Sequence, residues 1–405
     1  MKAALRIGFA AIAMLGTWLA GVHAADRGAV LPKIGHVFIV VLENEGYGIT
    51  FGPNSPAPYL SKTLPGQGAL LSQYYATGHF SLDNYIAMIS GQAVNPETQA
   101  DCQTYSDFTA AGTTPDGQAL GHGCVYPSGI QTIANQLQSA GLTWKAYMED
   151  MGNDPQRESA SCGHPKLGER DNTQRAEAPG ATAPQGDQYA ARHDPFVYFH
   201  AIIDTPACAN VVSLAALKQD LQSVATTPNY VFITPNLCHD GHDGGGAKKC
   251  VTGETGGLDS ADRFLRDLVP KILASPAYQK DGLVIVTFDE ADMEIAFDQA
   301  TNRLTLRGGD ASACCGEQPG PNLGAGPQIF GNPDQGSGVA GPGGGRTGAV
   351  LLSRFIKPGT VSDTAYNHFA MLKTLEDIFG LPPLGFAGQK DLKGFGPDVF
   401  TNPGG

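Results

Sequence analysis

Five short runs of the chain are largely apolar and rich in β-branched or aromatic residues: HVFIVVL (36–42), TWKAYM (143–148), NYVFIT (229–234), LVIVTF (283–288) and AVLLS (349–353). Runs of that length and make-up predict strands covered on both faces. Between them apolar residues recur at three- and four-residue spacing, in SGIQTIANQLQSAG (128–141) and LDSADRFLRDLVPKILAS (258–275), which predicts helices. A further amphipathic helix is expected to begin at His368, in YNHFAMLKTLEDIFGLP. Strand and helix alternate, so the expected fold is α/β, a mostly parallel central sheet with helices on both faces. Ligands in such sheets bind beyond the carboxyl ends of the strands.

The residues just past those ends are polar in a chemically coherent way. Glu43 and Asn44 follow the first run, Asp289 and Glu290 follow LVIVTF, and LCHDGHD, carrying His239, Asp240, His242 and Asp243, lies just beyond NYVFIT. Any one pair reads equally well as a loop start or a helix cap. Three clusters at three strand ends predict a site. Oxygen donors dominate it: Glu43, the Asn44 amide, Asp289, Glu290 and the Ser81 hydroxyl suit a hard cation such as calcium, magnesium or manganese. Added imidazole moves the preference toward zinc or iron. One divalent metal ion is expected, with Ca, Mg, Mn and Zn all left open.

Ser81 lies in TGHFSLDNYIAMISG, ahead of an apolar run. It reads as a helix cap, as a nucleophile, or as both. Beside a cation its hydroxyl would be acidified and the charge of a bound phosphoryl group neutralised. His242 or His239 would then hold a phosphate oxygen or protonate the leaving alkoxide, and Asn84, one turn beyond Ser81, would offer its amide to a phosphoryl oxygen. The expected chemistry is phosphoryl transfer through a seryl intermediate.

Composition bounds the setting. The formal net charge of −13 opposes binding to nucleic acid or an anionic bilayer, so an anionic substrate must be captured locally. The opening MKAALRIGFAAIAMLGTWLAGVHAAD places Lys2 and Arg6 before an apolar run and small residues near Ala24, which predicts a signal peptide over 1–24 and a secreted or periplasmic product. No later run reaches the roughly 18 apolar residues of a spanning helix, so the mature form is expected to have no integral membrane segment. Residues 25–405 are expected to form a single domain. All eight cysteines lie in that part and predict disulfides, with adjacent Cys314 and Cys315 expected to bond to separate partners. Stretches 152–192 and 311–348, dense in Gly and Pro, predict long loops, the second one overhanging the site. GGGRTG (343–348) satisfies G-x-G-x-x-G but precedes an apolar strand, so it reads as loop and not as a dinucleotide fingerprint.

The segments HVFIVVLENEGYG, TGHFSLDNYIAMISG, ITPNLCHDGHD, VIVTFDEAD and YNHFAMLKTLEDIFGLP, in this order, resemble the bacterial phosphoesterase family of secreted acid phosphatases and phospholipases C, related to the alkaline phosphatase superfamily. The resemblance implies an alkaline phosphatase-like fold, a metal held by Glu43, Asn44, Asp289 and Glu290, and Ser81 as nucleophile. It matches His242 and Asp243 to a histidine-aspartate pair near the phosphate, His79 to a histidine before the nucleophile, and sets His368 near the site. Phe80 and Asp83 stand where many relatives carry prolines, and Glu45 where phospholipase-type members often carry Arg. The implied substrate is a small phosphorylated molecule or a phospholipid head group, with an acid phosphatase ahead of a phospholipase C. A conventional serine esterase would need G-x-S-x-G, which the chain lacks. A secreted calcium-stabilised binding protein would account for the carboxylates, though not for Ser81 and the histidines.

Overall fold

Eight strands form the central sheet, in the spatial order β8-β2-β7-β6-β1-β5-β3-β4. In chain order they are β1 (His36–Leu42), β2 (Ala69–Leu71), β3 (Trp144–Met148), β4 (Val211–Ser213), β5 (Tyr230–Thr234), β6 (Gly282–Phe288), β7 (Ala349–Leu352) and β8 (Thr360–Ser362). The computed structural model describes residues 31–405 except 245–248, 299–302, 324–327, 333–335, 341–342 and 403, with backbone only within 294–308 and 324–342. The signal peptide expected over 1–24 lies outside the described residues.

β1 pairs in parallel with β5 on one side and β6 on the other, while β7 runs antiparallel to both β6 and β2. Ala349, the first residue of β7, lies opposite Thr287 near the end of β6. Alternation along β1 divides its side chains between two cores: Val37, Ile39 and Val41 face one, and Phe38, Val40 and Leu42 the other. At about 25 cal/mol per Å² of apolar surface removed from water, this two-sided burial is what selects a continuous apolar run. The first core takes helices α1 (Ser81–Ser90), α2 (Ile133–Ser139) and α4 (His368–Phe379), and the second takes α3 (Leu258–Leu273).

Several expectations need correcting. The helix expected over 128–141 begins only at Ile133, because Thr132 and Asn135 form a reciprocal capping box there. The 311–348 excursion is not all loop, since Gln328–Asn332 pairs with Gly336–Ala340 as an antiparallel hairpin. The cysteines form the bridges Cys102–Cys124, Cys162–Cys208 and Cys238–Cys250, and these leave Cys314 and Cys315 only each other, so the two neighbours are bonded together. GGGRTG does form a loop, and a tightly packed one. Ala76 N–H donates to Gly345 O at 2.9 Å, Ala291 N–H to Gly344 O at 2.8 Å, and Gly345 N–H to Ser312 O at 3.0 Å. A side chain at Gly344 would stand 1.9 Å from the Gly78 carbonyl oxygen, which is why this strap is glycine.

Candidate active site

The parallel register carries the site. Leu42 lies opposite Phe288, so Glu43 and Asp289 emerge side by side, and Glu43 N–H donates to Asp240 O at 2.9 Å. Three strand ends therefore meet in one buried place. Asn44, at φ 54°, turns its N–H back to Asp289 Oδ1 at 3.0 Å.

Ser81 is the first residue of α1, and its oxygen caps nothing. The cap position belongs to Phe80, and Ser81 Oγ donates instead to Glu43 Oε2 at 2.8 Å. That corrects the capping reading. Helix-start amides are satisfied from a distance: Leu82 N–H by Asp101 Oδ1 at 3.0 Å and Phe80 N–H by Glu290 Oε1 at 3.0 Å. Phe80 itself has φ 77° and ψ 150°, a conformation normally reserved for glycine, costing about 1–3 kcal/mol. Asn84 holds it there. Its Oδ1 accepts from Thr77 N–H at 2.9 Å and Gly78 N–H at 3.0 Å, and its Nδ2 donates to Phe80 O at 3.0 Å. The Asn84 amide is thus spent on the turn before Ser81.

Glu43 is fully buried and well supplied with donors. Tyr85 OH donates to Oε1 at 2.7 Å and Asn44 Nδ2 to Oε2 at 3.1 Å, and His193 Nε2 stands 3.3 Å from Oε2, near enough for charge pairing though not aligned for a hydrogen bond. Burial pushes the carboxyl up, but the His193 and Arg192 charges and the Tyr85 hydroxyl outweigh it and hold it at about 2. Asp289 goes the other way. Burial first, then the charges of Glu43 and Glu290, push it well above the ordinary carboxylate range, and burial with Glu43 and Asp243 does the same to Asp240.

Asp289 Oδ2 and Asp240 Oδ2 are buried with no hydrogen-bond partner. An orphaned carboxylate oxygen beside two other carboxylates is costly unless a proton or a cation stands there. Ser81 Oγ and Asn44 Nδ2 both reach Glu43 Oε2, and Asn44 N–H reaches Asp289 Oδ1, so Glu43, Asn44, Ser81 and Asp289 are neighbours whose oxygen atoms are of the kind a hard divalent ion takes. Glu290 is engaged elsewhere: Oε1 takes Phe80 N–H and Oε2 pairs with His79 Nδ1, leaving His79 Nε2 buried and unpartnered.

The remaining histidines separate. His242 is half exposed, with Nδ1 3.4 Å from Asn44 Nδ2 and 4.0 Å from Asp243 Oδ1. His239 turns to the other side of its loop. Its Nδ1 lies 2.9 Å from Glu149 and its Nε2 3.5 Å from Glu254, and its ring stacks on Phe264. There it lines a cleft of about 1130 Å³ beside α3, with Leu217, Leu221 and Leu268. His368 is fully buried behind Asp289, with Nε2 2.6 Å from the Asp289 carbonyl oxygen and Nδ1 3.0 Å from Tyr74 OH. Burial, against the carbonyl contact, lowers it to about 4, so the ring is neutral.

Sequence reasoning passed over three contributors. His193, in ARHDPFVYF, stands beside Glu43 and stacks on Tyr85, with ring centroids 5.4 Å apart. Arg192 came with it. Tyr85 had a findable signal, since it lies four residues after Ser81 and so on the same helix face.

The architecture is of the α/β class, a mostly parallel central sheet flanked by helices. A family model described as the Phosphoesterase family matches residues 53–382, and the chain belongs to that family. It is 24% identical to the phosphatidylinositol-3-phosphatase of Mycobacterium tuberculosis over 94% of this chain and 89% of the relative. The phosphate-repressible acid phosphatase of Penicillium chrysogenum is 24% identical over 83% of this chain, and a probable acid phosphatase of Kluyveromyces lactis 25% over 86%. The chain spans 57% and 59% of the lengths of these two fungal relatives. Among solved structures, an alkaline phosphatase superfamily protein from Vibrio parahaemolyticus superposes with a TM-score of 0.46 at 14% identity, covering 92% of this chain and 73% of that one. Murine ectonucleotide pyrophosphatase/phosphodiesterase 5 gives 0.44 at 11% identity, covering 88% and 99%.

Proposed function

We propose that this chain is a cation-assisted phosphomonoesterase of the acid phosphatase kind, with Ser81 as the group that accepts phosphoryl. One observation carries the reading: at a strained turn, a buried hydroxyl donates at 2.8 Å to an ionised carboxylate, beside the unpartnered Oδ2 of Asp289. The phosphatase names of the relatives support a monoester substrate. The disulfides support an exported protein, and among the described residues no helix is long and apolar enough to cross a membrane.

A divalent cation, when held by Glu43, Asn44, Ser81 and Asp289, would supply positive charge for the phosphoryl oxygens and acidify the Ser81 hydroxyl. The chain's own residues do the rest. His79, with both ring nitrogens protonated, donates Nε2–H to a phosphoryl oxygen while Ser81 Oγ attacks phosphorus in line with the leaving oxygen, its proton passing by way of Glu43 Oε2 to solvent. As the bond from phosphorus to the leaving oxygen breaks, the protonated imidazole of His242 gives its proton to the departing alkoxide. Water then attacks the seryl phosphate, neutral His242 takes a proton from that water, and as the bond from phosphorus to Ser81 Oγ breaks the serine oxygen regains a proton from solvent by way of Glu43 Oε2. Asn84, Glu290 and Asp101 keep the nucleophile's turn in place, Asp243 flanks His242, and His239 takes no step.

The purified chain is expected to release p-nitrophenol from p-nitrophenyl phosphate, to lose that activity to a chelator, and to turn over bis-p-nitrophenyl phosphate and p-nitrophenyl acetate poorly. Ser81→Ala should fall at least about a thousandfold in kcat, and acid quenching of the wild type should trap phosphoserine at Ser81. A folded Ser81→Ala protein with wild-type turnover would sink the seryl mechanism.

A further inference from the structure

His368 lies at the start of α4, outside any contact with Ser81 or its turn, yet both of its nitrogens are committed. The carbonyl of Asp289 can only accept, so the 2.6 Å contact requires a hydrogen on Nε2. Its Nδ1 faces the Tyr74 hydroxyl at 3.0 Å, and that hydroxyl also has Met371 Sδ at 3.6 Å. The fixed direction is the one from His368 Nε2–H to the Asp289 carbonyl, with Tyr74 backing the ring from its other side.

The peptide that receives this bond joins Asp289 to Glu290. Its carbonyl end is held by His368, and its N–H end points at Asp289 Oδ1, 2.6 Å away. Oδ1 also accepts the Asn44 N–H at 3.0 Å, so the carboxylate is pinned through one oxygen and its Oδ2 is left bare. Beyond the same peptide, the Glu290 carboxylate holds Phe80 N–H and His79. One peptide plane therefore orients both the cation-facing oxygen and the turn that carries Ser81. Were that plane free to rotate, Glu290 N–H would leave Oδ1 and the carboxylate could turn Oδ2 away.

We propose that His368 is a positioning residue that locks the Asp289–Glu290 peptide, so that Asp289 presents Oδ2 to a divalent cation. It touches neither substrate nor cation. The inference rests on the cation-assisted reading above and adds to it the device that sets the cation's affinity. Glutamine reaches about as far as Nε2 and keeps one donor, whereas leucine fills similar space with none.

The test titrates Mn²⁺ into chelator-stripped protein by calorimetry, which needs no turnover, and follows thermal unfolding of each variant. His368→Leu should weaken Mn²⁺ binding by about tenfold or more, His368→Gln should stay within about threefold of wild type, and their melting curves should lie close together. With saturating Mn²⁺ the KM for p-nitrophenyl phosphate should be unchanged in both. Tyr74→Phe, which keeps the ring's packing and removes only the hydroxyl facing Nδ1, should lie between the two and serves if His368→Leu does not fold. Equal affinity in wild type and His368→Leu, or equal loss in Gln and Leu, overturns the proposal while leaving the cation reading intact. Absence of Mn²⁺ binding by wild type overturns both, and is told apart by that control alone.

Discussion

Removing one oxygen from Tyr85 tests the electrostatic logic of the site without touching a reacting atom. Tyr85→Phe deletes the 2.7 Å donation to Glu43 Oε1 and keeps the ring that stacks on His193. A hydrogen bond to a buried charged acceptor is worth about 1.5–3 kcal/mol. With about 2.1 cal/mol/K per residue over Leu31–Gly405, the unfolding entropy is roughly 0.8 kcal/mol/K, and the expected drop in Tm is about 2–4 °C. The sign with pH follows from Glu43 being held below its ordinary value of 4.5, at about 2. Stability from a depressed carboxyl is fully present above the unfolded value and is lost as pH falls through the folded one. The difference between variant and wild type should therefore be constant between about pH 5 and 8. Calorimetric melts of chelator-stripped protein at three pH values in that window would measure it. A variant that melts with wild type, or whose deficit grows toward pH 8, would refute the assignment of Tyr85 as a donor to the ionised Glu43.

Two further outcomes follow from other parts of the fold. Gly344→Ala would put a methyl carbon 1.9 Å from the Gly78 carbonyl oxygen and 2.6 Å from the Ala76 side chain. It should cost about 2 kcal/mol or more in urea unfolding and reduce kcat by displacing the turn before Ser81. An unchanged kcat would mean that the strap does not position the nucleophile. Glu376, in α4, is pushed up to about 8, chiefly by burial, with Asp377 adding to it against the opposing Leu384 N–H and Lys373. Its contribution is intact below its unfolded value near 4.5 and is lost as pH rises toward about 8. Glu376→Gln should match wild type near pH 4.5 and exceed it in urea midpoint at pH 8, and a gap that does not widen with pH would count against this.

The inner strands were legible because two-sided burial writes itself as an unbroken apolar run, and HVFIVVL, LVIVTF and NYVFIT are such runs. Ala69–Leu71, Val211–Ser213 and Thr360–Ser362 were not, since three residues are too few for a period to be seen. The convergence of Glu43, Asn44 and Asp289 was legible because a parallel sheet delivers strand ends to one edge. The fates of His239 and His242 were not. Both lie in LCHDGHD, and only the path of the folded loop sends one to Glu149 and the other to Asn44. His193 lay hidden for a similar reason, since its partner Glu43 is distant in sequence and nothing in ARHDPFVYF points there.

The reversed direction of β7 has a consequence for how this fold tolerates change. A parallel successor to β6 would oblige the chain to travel to the far rim before re-entering. Because Ala349 sits opposite Thr287, the intervening stretch departs and lands on the same rim, like a bridge with both abutments on one bank. Its span can lengthen at only about 0.6 kcal/mol per doubling, without asking the sheet to move. New architecture can thus be grafted at that rim while the strand tips that carry Glu43 and Asp289 stay where they are.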